Sequence, residues 1–334
     1  MSAKYVSQMA GLLVAGVALG CILWPGLNAA APSYPNRTVK IIVPFVAGSP
    51  IDIVARAIGD KISTRFKQPF VIENRPGAGG SIGTDIIVKA APDGYTLGHV
   101  LSTVLTVNPS LYSKLPFDPD KDLRPLSIAT TTGQMLIVHP SIPVHSVSEF
   151  VAYAKAATAR KEPIAYASGG NGTPGHLAME YFRLHAGFDA IHVPYRGNTP
   201  MVVDLVAGQI KAAFISTSGM MDHVRAGRLR GLGVSHINRA PLAPDVPTIA
   251  ESGYRGFNIE TFQVVLAPAG LPDEIATILQ REVRAALKHP DVIERFLQMD
   301  TTPAGIVGAE MLERIKADRQ IWAKVIAAAN MRIN

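Results

Sequence analysis

From Tyr34 onward the chain alternates short β-branched runs with stretches of helical spacing. Val39-Lys40-Ile41-Ile42-Val43 has the pattern of a buried strand and stops at Pro44. Apolar residues then recur at Ile51, Val54, Ala55, Ile58, Ile62 and Phe66, the three-and-four spacing of one helix face. Phe70-Val71-Ile72 predicts the next strand, residues 82–90 the next helix and residues 95–101 a third strand. The pattern restarts in mid-chain. Strands are expected at 136–138, 164–167, 191–193 and 212–215, and helices at 147–157, 176–185 and 199–207. Residues 231–235 read as a strand leading out of this unit, and 262–266 as one more. Helical stretches at 272–288, 291–297 and 309–329 finish the chain. Pro272 suits a helix start, and Pro290 breaks the first two apart.

Alternation of this kind predicts parallel sheets covered by helices on both faces. The restart predicts an α/β protein of two doubly wound lobes. Lobe one is expected to span 34–132 and to be completed by 257–334, with lobe two at 133–256. Two crossings between lobes would make a hinge.

The first 31 residues stand apart. Lys4 is the only charge before Arg37, an apolar run extends from Met9 to Trp24, and Ala29, Ala30 and Ala31 follow. This is the pattern of a secretory signal peptide over 1–31, cleaved near Ala29 to Ala31, and it predicts a periplasmic protein. A membrane anchor is the alternative, but the apolar run is short and no basic stop-transfer cluster follows. Cys21, after Ala18-Leu19-Gly20, only loosely resembles a lipidation signal. It is the single cysteine. Its removal would leave no disulfide, no cysteine-ligated zinc and no thiol nucleophile. Lys and Arg number 32 against 26 Asp and Glu, a net charge of +6. The charges are interspersed without a basic run, which argues against nucleic acid as a partner. A mild positive balance suits an acidic small ligand.

Two loops have one design. Phe45, Val46, Ala47, Gly48, Ser49 and Pro50 follow a strand and open a helix. Small residues let a ligand approach the backbone, and the first-turn N–H groups and positive helix end make an anion seat without Lys or Arg. The second loop, Ser168-Gly169-Gly170-Asn171-Gly172-Thr173-Pro174, ends at His176 and repeats the arrangement with three glycines. The plainer reading of both is helix capping, although so much glycine is entropically costly for a cap alone. Ligands of open parallel sheets bind beyond the carboxyl ends of strands. The candidate contacts are therefore the first-loop residues, then Ser168, Asn171, Gly172, Thr173 and His176. Beyond other strand ends they are Ser102, Thr103, Ser216 and Thr217, together with Phe262.

Other features carry less. The glycines at 77, 79 and 83 miss dinucleotide spacing by one residue, and no acidic residue ends the following strand. His176 and Glu180 lie four apart on a helix, but no third metal ligand is evident. Ser168 has Tyr166 where a nucleophile elbow needs glycine. No cofactor and no catalytic residue are expected.

The whole chain after the leader resembles the Bug-type solute receptors of tripartite tricarboxylate transporters. The resemblance rests on Glu73-Asn74-Arg75-Pro76-Gly77-Ala78-Gly79-Gly80, Ala91-Pro92-Asp93-Gly94-Tyr95-Thr96-Leu97, Asn108-Pro109-Ser110-Leu111-Tyr112 and Leu115-Pro116-Phe117-Asp118-Pro119. It continues through Gly172-Thr173 with His176-Leu177, His192-Val193-Pro194-Tyr195-Arg196-Gly197, Ala243-Pro244-Asp245-Val246-Pro247-Thr248 and Ala267-Pro268-Ala269-Gly270. It implies a Venus-flytrap fold. It also implies a monomer that holds a small organic acid in the cleft, partly through ordered waters, and hands it to membrane transporter subunits. The acid would be a mono- or dicarboxylate, aromatic acids and amino acids included. Three stretches depart from the family pattern: Ala47-Gly48-Ser49 for Ala-Gly-Gly, Thr261-Phe262 for Ser-Trp, and Ile215-Ser216-Thr217-Ser218 where Asp often follows Phe214. All three fall near the expected cleft and bear on the ligand's identity. A ligand sensor for a signalling partner is the alternative. An enzyme on the same lobes would need a nucleophile or metal that the motifs lack.

Overall fold

The computed structural model describes residues 34–333. The expected leader over 1–31, with Cys21, lies outside the described residues. In chain order the elements are β1 Val39–Val43, α1 Pro50–Phe66, β2 Phe70–Asn74, α2 Ser81–Val88, β3 Thr96–Leu101, α3 Thr103–Thr106, α4 Asn108–Leu111 and β4 Leu123–Thr132. Next come β5 Met135–Val138, α5 Val147–Ala159, β6 Ile164–Ser168, α6 Pro174–Ala186, β7 Ala190–Pro194, α7 Asn198–Val206, β8 Ala212–Ile215, α8 Met221–Arg225 and β9 Arg230–Val234. Last are β10 Thr261–Pro268, α9 Asp273–Ala286, α10 Pro290–Leu297, β11 Thr302–Ile306 and α11 Gly308–Ala328.

The strands form two sheets, one ordered β11-β4-β10-β3-β1-β2 and the other β7-β6-β8-β5-β9. In the first, β1 is parallel to β2 and β3, while β10 is antiparallel to β3 and β4, and β11 to β4. In the second, β6 is parallel to β7 and β8, while β5 is antiparallel to β8 and β9. The sheets are thus mixed, where the alternation predicts them parallel. The strands reversed against the parallel set are β5 in the second sheet and β10 and β11 in the first; β5 and β10 are the first that the chain lays down after changing sheets. Their links, 133–134 and 235–260, contain no helix.

Two strands have no signal in the hydrophobic pattern. β4 reads LRPLSIATTT, and its Pro125 sits at a register irregularity against β10, which spares a ladder N–H. β11 reads TPAGI and lies at a sheet edge, where Pro303 and Gly305 are tolerated.

Packing follows from strand periodicity. On β5, Met135 and Ile137 enter a core with Met201, Leu205 and Ile215, while Leu136 and Val138 enter another with Phe150, Phe182 and Phe214. Both faces are therefore covered, and each fully buried phenylalanine contributes about 1.5–3 kcal/mol. The first sheet's core gathers Ile42, Ile87, Val100, Ile128, Val264 and Leu266.

α11 joins the two. Its Met311 and Ile315 belong to the first sheet's core, and its Trp322, Val325 and Ile326 to the second's. Beyond it the Ile333 N–H donates to the Leu111 carbonyl at 2.9 Å, pinning the tail. From Arg37 on the chain forms one unit. Among the described residues no helix is long and apolar enough to cross a membrane.

Candidate functional site

The loop from β1 into α1 is built around Asp52. This carboxylate is 2% exposed. It accepts the Gly48 N–H at 2.9 Å, Arg56 Nε at 3.0 Å and Asn74 Nδ2 at 2.9 Å. Burial alone would raise its pKa, but these bonds outweigh burial and hold the carboxyl below its ordinary value. Asn74 Nδ2 also donates to the Phe45 carbonyl at 3.1 Å, so one side chain ties both ends of the loop. Gly48 takes φ +79°, a left-handed conformation that suits glycine. Ser49 occupies the N-cap of α1 but does not cap it; its hydroxyl donates back to the Val46 carbonyl at 2.7 Å.

The loop from β6 into α6 repeats this position by position. Thr173 occupies the N-cap without capping, and its hydroxyl donates to the Gly170 carbonyl at 2.7 Å. Pro50 and Pro174 each open their helix. The prolines carry no N–H, so the first free amides are those of Ile51 and Gly175, and no N-cap side chain occupies either helix start. α7 begins nearby at Asn198, whose Oδ1 would lie 2.4 Å from a Cβ on Gly169.

These helix starts meet at a cavity of about 270 Å³. Phe45, Ser49, Pro50, Ile51 and Leu101 line it from β1, α1 and β3, and Thr261, Gln263, Met299 and Thr301 from later in the chain. Thr173, Pro174, Gly175, Asn198, Phe214 and Ser216 line it from the second sheet's side, with Ile215 and the linking residues Thr132 and Gln134. None of these side chains is ionisable. Gln263 Oε1 is buried and has no hydrogen-bond partner. Gly175 is required by contact, since a Cβ there would sit 2.2 Å from the Phe214 carbonyl oxygen. A wider groove of about 710 Å³, lined by Leu123, Arg124, Met311 and Arg319, lies away from both loops.

Of the residues singled out from sequence, the cavity brings together Phe45, Ser49, Pro50, Thr173 and Ser216. The others do not line it. Val46, Ala47 and Gly48 are exposed on the outer part of the loop. Ser102 is buried against Phe262, its N–H donating to the Phe262 carbonyl at 2.7 Å and its hydroxyl accepting the Phe262 N–H at 3.3 Å, and Thr103 starts α3. Phe262 is 1% exposed, beneath Arg314 in the first sheet's core. Strand alternation gives the reason: Thr261 and Gln263 face the cavity, so Phe262 faces away. Ser168 is buried, donating to the Gly170 carbonyl and meeting His192 Nε2 at 2.6 Å. Thr217 is buried with its hydroxyl unpartnered. Gly172 donates its N–H to His176 Nδ1 at 3.0 Å. Asn171 and His176 line a separate depression of about 330 Å³ with Glu180, Arg183 and His192. Burial and the neighbouring His192 hold His176 down to about 4, which keeps it neutral. Glu180 is taken by Tyr166 and Arg183 rather than by a metal. Among the described residues no group of three or more His, Cys, Asp or Glu is placed to hold a metal ion. Sequence reasoning missed Thr132, Gln134, Asn198, Met299 and Thr301. It also missed Gln263, although a lone amide inside the apolar run Phe262–Leu266 was a usable signal.

Two α/β halves facing each other across a cavity at their strand ends define a solute-binding receptor. The family described as tripartite tricarboxylate transporter family receptor matches residues 54–331, and the chain belongs to it. It is 34% identical over 304 residues to Protein BugT of Bordetella pertussis, covering 91% of this chain and 92% of that one. Its fold is similar to that of Rpa4515 of R. palustris, solved with adipate, at TM-score 0.76 and 31% identity over 90% of this chain and all of that one. MatC of Rhodopseudomonas palustris, solved with bound malate, follows at TM-score 0.71 and 29% identity, over 88% of this chain and all of that one.

Proposed function

We propose that this protein is exported to the periplasm and captures a small organic carboxylate in the 270 Å³ cavity for a membrane transporter of the tripartite tricarboxylate type. The observation that carries this is the matched pair of helix starts. Both N-cap hydroxyls turn back into their own loops, which leaves the amide ends of α1 and α6 open toward a cavity without an ionisable side chain. Such amide clusters bind an anion without a counter-charge, at about 1.5–3 kcal/mol for each bond to a charged group. The Ile51 and Gly175 amides are the proposed carboxylate donors. Adipate in Rpa4515 and malate in MatC fit ligands of this class. With no acid or base in its lining, the cavity is suited to hold and release a solute rather than transform it. The two sheets with their helices act as lobes, 34–132 with 257–334 and 133–256, hinged at the two links.

Calorimetry of the leaderless protein against adipate, malate, aromatic acids, acidic amino acids and neutral sugars tests this. One-to-one binding of a carboxylate is expected, and binding confined to neutral sugars would refute the reading.

A further inference from the structure

We propose that His176 is a positioning residue for the second anion seat: its unprotonated Nδ1 latches Gly172, and protonation releases the loop. This rests on the reading of that loop as a ligand seat.

The two loops superpose in logic residue by residue. Gly48 and Gly172 are both left-handed, at φ +79° and +73°. Ser49 and Thr173 both donate to the carbonyl three residues back. Pro50 and Pro174 both open the helix. The residue four beyond each glycine then accepts that glycine's N–H, Asp52 for Gly48 at 2.9 Å and His176 for Gly172 at 3.0 Å. One latch is a carboxylate and the other an imidazole. The same contact can therefore be lost to a proton at very different acidities.

The bond requires Nδ1 to carry a lone pair, which an imidazolium lacks. The surroundings keep it that way. The His192 ring lies parallel on His176, with centroids 3.7 Å apart and planes 9° apart, so the pair does not accommodate two positive rings. Glu180 is the nearby anion, but the Tyr166 hydroxyl at 2.6 Å and Arg183 at 2.6 Å already occupy it. Arg183 and Arg332, which line the same depression, add positive charge. That depression does not include the ligand cavity's lining, so protons reach the pair from behind the loop.

His176 sits at about 4 in the latched state, against an ordinary 6.5. Burial and the stacked His192 are what depress it, so the ring regains basicity to the extent that an open loop admits water and parts the two rings. Between pH 6.5 and 4 the open loop therefore binds more protons than the closed one and gains as pH falls, by up to about 300-fold. Asp52, already below its ordinary value, keeps the first loop latched through the same range.

Amide hydrogen exchange of Gly172, corrected for intrinsic rate and measured without ligand at pH 7 and pH 4.5, reads the latch. Protection in the parent should fall clearly at the lower pH, by about 60-fold if the open-loop ring titrates at its ordinary value and by less if it stays partly buried. His176→Asn, which offers a neutral oxygen acceptor, should stay protected at both. His176→Ala should be unprotected at both. Equal protection of the parent at the two pH values, or a fully protected His176→Ala, overturns the proposal. The parent's own pH response decides the matter if His176→Ala fails to fold. Adipate serves as the binding probe at pH 7, where its own carboxyls do not titrate. Its affinity should fall at least tenfold in His176→Ala and return in His176→Asn. An unchanged affinity beside an open loop also overturns the proposal. If adipate and the other acids fail to bind the parent, the receptor reading falls, while exchange still decides the latch.

Discussion

Ser49 and Thr173 stand where a helix expects a capping side chain, and neither caps. Each hydroxyl holds its own loop in the turn that exposes the helix end. Thr173→Val keeps the shape and deletes the bond to Gly170. A neutral hydrogen bond nets about 1 kcal/mol, so stability should fall by about that much and carboxylate affinity by roughly five- to tenfold. Calorimetry and thermal melting on the same variant check both numbers. Full affinity at reduced stability would mean that the pinned turn is not what presents the amides. At this scale the sequence is informative where the signal is local. Ser-Pro and Thr-Pro after a small-residue loop mark the two helix starts without any tertiary information. Gln134, Met299 and Thr301 carry no such mark, because they reach the cavity only through the way distant strands pair.

Gly175 shows how an element, rather than a side chain, shapes the site. α6 crosses β8 so closely that an added Cβ would meet the Phe214 carbonyl oxygen at 2.2 Å. Gly175→Ala must therefore push the helix off the sheet. Overpacking of this kind costs about 1–3 kcal/mol, and the displaced helix start should weaken ligand binding as well. Gly187, at the other end of α6, has nothing within 4 Å of its hypothetical Cβ but holds φ +73°. Gly187→Ala should cost about 1 kcal/mol from strain alone and leave binding intact. Melting and calorimetry on the two variants separate contact from strain, and equal binding losses would contradict the distinction. Most helices and central strands were legible because their apolar spacing is local. β4 and β11 were not. Proline, glycine and threonine dilute their patterns, and only their neighbours in the sheet make them strands.

At the scale of the molecule, three stretches bridge the two sheets: Gly133-Gln134, the segment before β10, and α11. The first two are links without helices. The third is a helix of 21 residues, about 30 Å long, with one end in each core. Closure should therefore be a rotation about the paired links, with α11 as a brace that limits it. Small-angle scattering with saturating adipate should show a smaller radius of gyration than the free protein. An unchanged profile at proven saturation would rule closure out.

The α/β class, the order of most elements and the two glycine-rich helix starts are legible along the chain, since periodicity, proline and glycine act within a few residues, and the family is legible in its matching stretches. Tertiary structure decided the sheet order, the reversal of β5 and β10, and which face of each strand looks into the cavity. It also decided that His176 holds a loop instead of facing the cavity. Those outcomes depend on which strands pair and what packs behind them, and pairing between strands far apart in the chain, such as β5 with β8 or β10 with β3, leaves no local trace.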